Sequence, residues 1–317
     1  MNLAAIDIGT NSTRLLISRF ENEKFIPLIR EMQITRLGKG IKDSGSILDE
    51  SAKNTIKVLK KYKKLINKFD VKNYRAVGTS VLRRAVNKDN FISKTFVETG
   101  LSIEVINGLE EAKLSFNGVV KSLILTKKIF NFDKILVVDI GGGSSEFILG
   151  DTNFNILKST SLDIGSVRLT EDFIHNDPPS KNEINFLRNF IKNTLSYNLK
   201  DFIKYNVEDD YKNLTIIGLA GTFSSLASIS INLKKYSMDK LNYLPLEFNK
   251  INDIFFNLCK LNLHERKKVI GLDPARADII IGGTAIVIEV LNYFKKEKIF
   301  VSENDILDGI IYSLINF

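Results

Sequence analysis

Two short stretches carry the residue types that can do chemistry. AIDIGTNSTR sets Asp7, Gly9 and Ser12 behind an apolar run, and VVDIGGGSSE repeats the spacing 132 positions later with Asp139, Gly141 and Ser144. Glycine lets a backbone turn tightly and come close to an anion, while successive amides and a hydroxyl supply donors to phosphate-type oxygens. Gly9, Thr10, Asn11, Ser12, Gly141, Gly142, Gly143, Ser144 and Ser145 are therefore the candidate anion-binding set. Asp7, Asp139 and Glu146 add hard carboxylate oxygens, suited to Mg²⁺ directly or through water. One such turn is an ordinary hairpin; two with the same aspartate offset point to a shared task. The glycines precede a strand, not a helix, and no G-x-x-x-x-G-K-[ST] run occurs, which excludes P-loop and dinucleotide-binding sites.

The segments around these turns must position them. LAAIDIG, TRLLISRF and KFIPLIREMQI read as strands, so the first element pair is a hairpin. A basic loop over 35–45 follows, then a lysine-rich amphipathic helix over 57–69, with Ala52, Ile56, Leu59, Leu65, Ile66 and Phe69 at roughly helical spacing. YRAVGTS reads as a buried strand. Residues 109–123 predict a helix with Leu109, Ala112, Phe116, Val119 and Leu123 on one face, a bridge and hinge between two halves. KILVVDIGGGSSEFILGD restarts the hairpin, and GLAGT, with Gly221 and Thr222, is a small-residue turn from strand to helix. Ser302 and Asp305 have capping-box spacing. Strands alternating with helices give an α/β fold of two similar halves.

A chain of 317 residues exceeds what one core usually organises, which favours two domains. The apolar run IIIGGTAIVI at 279–288 is about half a bilayer span, and the start carries Asp7 where a signal peptide would be apolar. A cytoplasmic protein without a membrane partner is expected. The single Cys259 excludes an internal disulfide and reads as a small buried hydrophobe. A net charge of +8 attracts polyanions at long range, yet no aromatics interleave with the lysines and no nucleic-acid signature occurs, so nucleic acid is not the expected partner. His175 and His264 form no ligand pair and read as surface residues.

The segments AAIDIGTNSTRLLI, GTSVLRRAVN, VINGLEEAKLSFNGV, VVDIGGGSSEF, IGSVRLTEDF, GLAGTFSSLAS, ERKKVIGLDPARADIIIGG and VSENDILDGII run in this order from end to end. Together they resemble the exopolyphosphatase and guanosine pentaphosphate phosphohydrolase family, a branch of the actin, Hsp70 and sugar kinase superfamily. The resemblance implies two duplicated ribonuclease H-like, actin-like ATPase domains flanking a cleft. The first would be residues 1–122 completed by a terminal helix over 303–317, and the second residues 123–302.

The implied activity is hydrolysis of the terminal phosphate of inorganic polyphosphate with Mg²⁺, guanosine pentaphosphate being the alternative substrate. By resemblance Glu111 is the catalytic base and Arg83 the substrate arginine, whose guanidinium can grip two phosphate oxygens. Without it, neighbouring Glu110 is an equal rival for the base and Arg84 a surface charge. Asp139 is open to two roles, metal ligand or orienter of the attacking water, and Gly221 and Thr222 belong beside the cleft. The chain matches the short two-domain form and stops before the HD-type domain of longer relatives. It departs from the family at Leu307, which replaces an arginine, and at 241–243, which lack a histidine. These departures bear on substrate choice or subunit contacts, and a homodimer is left open. A superfamily kinase and a non-enzymatic phosphate or alarmone sensor are the rival classes.

Overall fold

The computed structural model describes residues 1–126, 133–202 and 214–315. The chain divides into two compact units, Met1–Lys121 with Asp305–Phe317 and Ser122–Asn304. Unit one is built on a sheet of β1 (Asn2–Ile8), β2 (Ser12–Glu21), β3 (Lys24–Ile34), β4 (Asn73–Gly78) and β5 (Ile103–Val105), ordered β3-β2-β1-β4-β5. The first three strands are antiparallel to one another, while β4 runs parallel to β1 and β5 parallel to β4.

Unit two repeats the plan with β6 (Lys134–Ile140), β7 (Ser145–Asp151), β8 (Ile156–Leu162), β9 (Leu214–Leu219), β10 (Pro245–Glu247) and β11 (Lys298–Val301). Its order is β8-β7-β6-β9-β11-β10, so β6 stands where β1 does and β10 is an added antiparallel edge. The two units are copies of one ribonuclease H-like α/β topology.

The central strands are apolar on both faces because both are covered. In β1, Leu3, Ala4, Ala5, Ile6 and Ile8 are wholly buried, as are Ile135 to Val138 in β6. One face of the first sheet takes the helix Asp49–Lys68 through Thr55, Ile56, Leu59, Tyr62 and Ile66. Ala52, Leu65 and Phe69, expected on that face, are only half-buried. Tyr62 takes the centre, where its hydroxyl donates to the Thr13 carbonyl at 2.9 Å. The other face takes the terminal helix Ile306–Ser313, whose Ile306, Leu307 and Ile310 pack on Leu3, Ala5 and Val77. Leu307 is thus a core residue here.

Two local expectations are corrected. Leu109 is 54% exposed, because it lies in the first turn of the helix Gly108–Thr126, ahead of the stripe Ala112, Phe116, Val119 and Leu123 that is buried. Ser302 does not cap the terminal helix; its hydroxyl donates to the Asn304 carbonyl at 2.7 Å. The cap is Asp305, whose side chain accepts from Leu307 N–H while Asp308 reaches back to the Asp305 N–H. In unit two the apolar run at 279–288 belongs to the helix Ile280–Tyr293, buried from Ile280 to Leu291. No described helix is long and apolar enough to cross a membrane.

The terminal helix and Gly108–Thr126 meet backbone to backbone in unit one. A Cβ on Gly118 would stand 2.0 Å from the Asp305 carbonyl oxygen, and one on Gly309 1.8 Å from that of Leu114. Neither neighbour is a flexible side chain that could yield. Gly118→Ala and Gly309→Ala should each destabilise the fold by about 1–3 kcal/mol or more, read as a lowered midpoint in denaturant unfolding; an unchanged midpoint would contradict the packing described.

Candidate active site

Each glycine turn closes on itself in the same way. Gly9 N–H donates to the Ser12 carbonyl at 3.0 Å in unit one, and Gly141 N–H to the Ser144 carbonyl at 2.9 Å in unit two. The next carbonyls are tied back into the protein. That of Thr10 accepts from Gly38 N–H and that of Asn11 from Thr35 and Arg36, while Gly141 takes Ser166 N–H and Gly142 those of Val167 and Arg168. Donors remain open in both turns. Among the described residues, the amides of Thr10 and Asn11 in one unit and of Gly142, Gly143 and Ser144 in the other have no protein acceptor. Such a turn presents the positive ends of its peptide dipoles, which is an anion cradle.

Not every predicted residue can serve it. Ser145 is wholly buried and its hydroxyl donates to the Ile164 carbonyl at 2.5 Å, so it fastens β7 in place and offers an anion nothing. Gly9 and Gly141 shape the turns, their own amides being spent on closure. Thr222 is buried against Gly283, leaving only its first-turn amide in the helix Gly221–Ser230 for a ligand. At Gly221 a Cβ would overlap the Arg276 guanidinium at 1.9 Å. Ala220 just before it holds φ 70° and ψ −179°, a conformation that costs a residue other than glycine on the order of 1–3 kcal/mol and clusters at ligand sites.

The hairpin register sets one residue directly across from each aspartate, and here the two copies differ. Asp139 faces Glu146, whereas Asp7 faces Arg14. Residues so opposed bring their Cβ atoms within about 4.5–5.5 Å. Unit two therefore holds two carboxylates side by side, Glu146 oriented by hydroxyls of Ser144 at 2.8 Å and Ser161 at 2.9 Å. Paired like charges fit a divalent cation. No group of three or more ligating side chains occurs among the described residues, but Mg²⁺ commonly takes one or two carboxylates and completes its shell with water and substrate phosphate. In unit one, Asp7 Oδ2 accepts from Arg14 Nε at 2.8 Å and Nη2 at 2.7 Å, and Oδ1 is left without a protein donor among the described residues.

Arg14, Arg30 and Asp308 were not singled out in the sequence, and Asp305 stood there only as half of a capping box. Arg14 Nη1 donates to Asp305 Oδ2 at 2.5 Å; Arg30 reaches Asp305 Oδ1 at 3.5 Å and Asp308 Oδ2 at 2.5 Å. Burial raises the Asp7 carboxyl against the pull of Arg14. Burial pushes Asp305 the same way, but Arg14 and Arg30 outweigh it and hold that carboxyl below the usual range.

Asn107 starts the helix that carries the two candidate acids: its side-chain oxygen accepts from Glu110 N–H at 2.9 Å and its carbonyl from Glu111 N–H at 3.0 Å. The two acids then part company. Glu110 Oε1 accepts from Arg75 at 3.2 Å, and Glu111 Oε2 accepts from Arg83 Nη1 at 2.5 Å. That nitrogen also donates to the Ile106 carbonyl at 3.2 Å. Nε and Nη2 of Arg83 and Oε1 of Glu111 have no protein partner among the described residues. Arg84 is exposed and unpaired among them, as are the side chains of His175 and His264. Cys259 is half-buried, and burial pushes its thiol up to about 12, which suits packing and not nucleophilic attack.

Burial raises the Glu111 carboxyl, and the neighbouring Arg83 pulls it down without cancelling the rise. Removing the cation leaves burial unopposed, so Arg83→Gln should raise the Glu111 pKa further. Side-chain ¹³C titration should place the wild-type midpoint above the ordinary glutamate range and the variant's above the wild type's; a midpoint that falls would contradict the assignment of causes.

Comparison with known proteins follows the same geometry. A model of the Ppx/GppA phosphatase family matches residues 16–316. The chain is 40% identical over 322 residues to the bifunctional 3-dehydroquinate synthase/phosphatase of Fusobacterium nucleatum subsp. nucleatum, covering 97% of this chain and 46% of that protein, about half its length. It is 34% identical over 325 residues to exopolyphosphatase 2 of Mycobacterium tuberculosis, covering 98% of each. The crystal structure of the Aquifex aeolicus Ppx/GppA family member matches with a TM-score of 0.83 at 33% identity, covering 99% of this chain and 97% of that one. With a family match across nearly the whole sequence and the duplicated fold to accompany it, this chain belongs to the Ppx/GppA phosphatase family.

Proposed function

We propose that the protein is a cytoplasmic exopolyphosphatase that releases orthophosphate from the end of an inorganic polyphosphate chain. The observation that carries this reading is the half-buried pair of Glu111 and Arg83, in which each partner keeps a polar edge unused among the described residues. The free edge of Arg83 is a fork that matches two oxygens of a phosphoryl group and balances the charge spread over them. Glu111, as the carboxylate, accepts a proton from water within hydrogen-bond reach. That water attacks the terminal phosphorus, its oxygen forming the new P–O bond as the bridging bond to the rest of the chain breaks. The shortened chain carries away the bonding pair. The free amides of Thr10 and Asn11, in the same unit, hold the phosphate oxygens, and those of Gly142, Gly143 and Ser144 offer unit two a cradle of the same kind.

Asp139 and Glu146 would hold Mg²⁺, and in unit one Asp7 Oδ1 is an oxygen of the same chemistry; the ion would supply charge neutralisation on the phosphates. The relative in Mycobacterium tuberculosis is named an exopolyphosphatase over its whole length, which supports the choice of polyphosphate.

Phosphate release from long-chain polyphosphate, with guanosine pentaphosphate assayed in parallel, tests the substrate. Glu111→Gln should lower kcat by about 10²–10⁴-fold while polyphosphate still binds. A kcat within a factor of a few of wild type would remove Glu111 as the base, and release from the nucleotide alone would replace the substrate.

A further inference from the structure

The ion pairs of Arg14 do more than join two strands. A guanidinium is planar and rigid, so fixing one edge fixes the other. Arg14 gives Nε and Nη2 to a single oxygen of Asp7 and Nη1 to Asp305, the cap of the terminal helix. Asp305 is held in turn by Arg30 and by the Leu307 amide. Asp7 and Asp305 are both nearly buried, at 4% and 7% exposed, so these contacts are little screened by water.

The charges also need the second carboxylate. Asp7 with Arg14 alone is a neutral pair, and a neutral pair has little to offer a cation. The ladder that runs on from it adds Asp305 as the second carboxylate against Arg14, with Arg30 and Asp308 paired beyond it. The oxygen of Asp7 that lacks a protein donor lies at the end of that ladder, beside the glycine turn.

We infer that Asp305 is a positioning residue for Asp7, acting through Arg14: it locks the guanidinium plane that turns one Asp7 oxygen inward and leaves the other directed to a phosphate-bound divalent cation. The inference rests on the phosphohydrolase reading above and adds to it a residue from the far end of the chain that touches neither substrate nor metal.

Asp305→Asn keeps the shape of the cap and removes the charge that holds Arg14. Outer-shell partners of this kind typically cost 10–100-fold in metal affinity or activity when replaced. In full-length protein, kcat on polyphosphate should fall by about ten-fold or more with KM changed less than about two-fold, and Mn²⁺ affinity, followed directly by its EPR signal, should weaken in step. Asp308→Asn is the control, since Asp308 binds Arg30 and the helix start but not Arg14. It should lower the unfolding temperature and leave kcat within about two-fold. Wild-type kcat and Mn²⁺ affinity in Asp305→Asn overturn the inference, as does an equal loss of kcat in both variants, which would mark a merely structural role. A wild type that releases no phosphate from any polyphosphate would instead overturn the substrate reading, an outcome separable from these because Mn²⁺ affinity is measured without turnover.

Discussion

Unit one depends on one close approach. The last helix of the chain lies so near the helix Gly108–Thr126 that neither Gly118 nor Gly309 has room for a methyl group. Close packing of this kind leaves few alternative arrangements, since interiors resist even one added methylene. It fixes Asp305 at the helix start, where its carboxylate meets Arg14, and it fixes the helix whose first turn carries Glu111. A chain end brought back by van der Waals contact thus sets the charged groups of the site. Hydrophobic burial of Ile306, Leu307 and Ile310 supplies the driving force, and the glycines set the distance.

The charged ladder could not stand without that framework. Ion pairs taken out of water recover their desolvation cost only when geometry is good and the remaining lone pairs are bonded. Asp305 meets the condition, its oxygens shared among Arg14, Arg30 and the Leu307 amide. Arg30 does not fully meet it, for its Nε is buried without a hydrogen-bond partner among the described residues. A ladder that tolerates one unmet donor is better understood as a device for orientation than as a source of stability, which agrees with the weak average yield of buried ion pairs.

Much of this was legible in the residues alone. The duplicated turn announced itself by the 132-residue offset, and both hairpins, the parallel strands beyond them and the helix carrying Glu111 formed where the apolar runs and glycines required. What local pattern could not give were the partners that arrive from a distance. Asp305 is 291 positions from Arg14 and looked like half of a capping box shifted by three residues. Arg14 could have been found, because a tight turn from Gly9 to Ser12 forces Asp7 to face it. Choosing between Glu110 and Glu111 needed the positions of Arg75 and Arg83, which no helical spacing supplies. The place of Ser145 was not legible because β7 is covered on both faces, so the hydroxyl directly after the glycine turn is wholly buried and bonds the Ile164 carbonyl.

The comparison of the two turns shows how duplication becomes asymmetry. Much of the backbone geometry has been kept: the same closing hydrogen bond, the same register, and the matching carbonyls of Thr10 and Gly142 tied back. Only the side chain across from the aspartate has changed sign, from Glu146 in one copy to Arg14 in the other. Two acidic turns would attract cations at both and hold a polyanion at neither without them. A turn whose aspartate is partly answered by a guanidinium repels phosphate less, and it sits in the same unit as the acid and arginine pair of Glu111 and Arg83. A difference in chemistry then follows from electrostatics: the copy with paired carboxylates has more to offer a cation, and the copy with arginines more to offer a phosphoryl group.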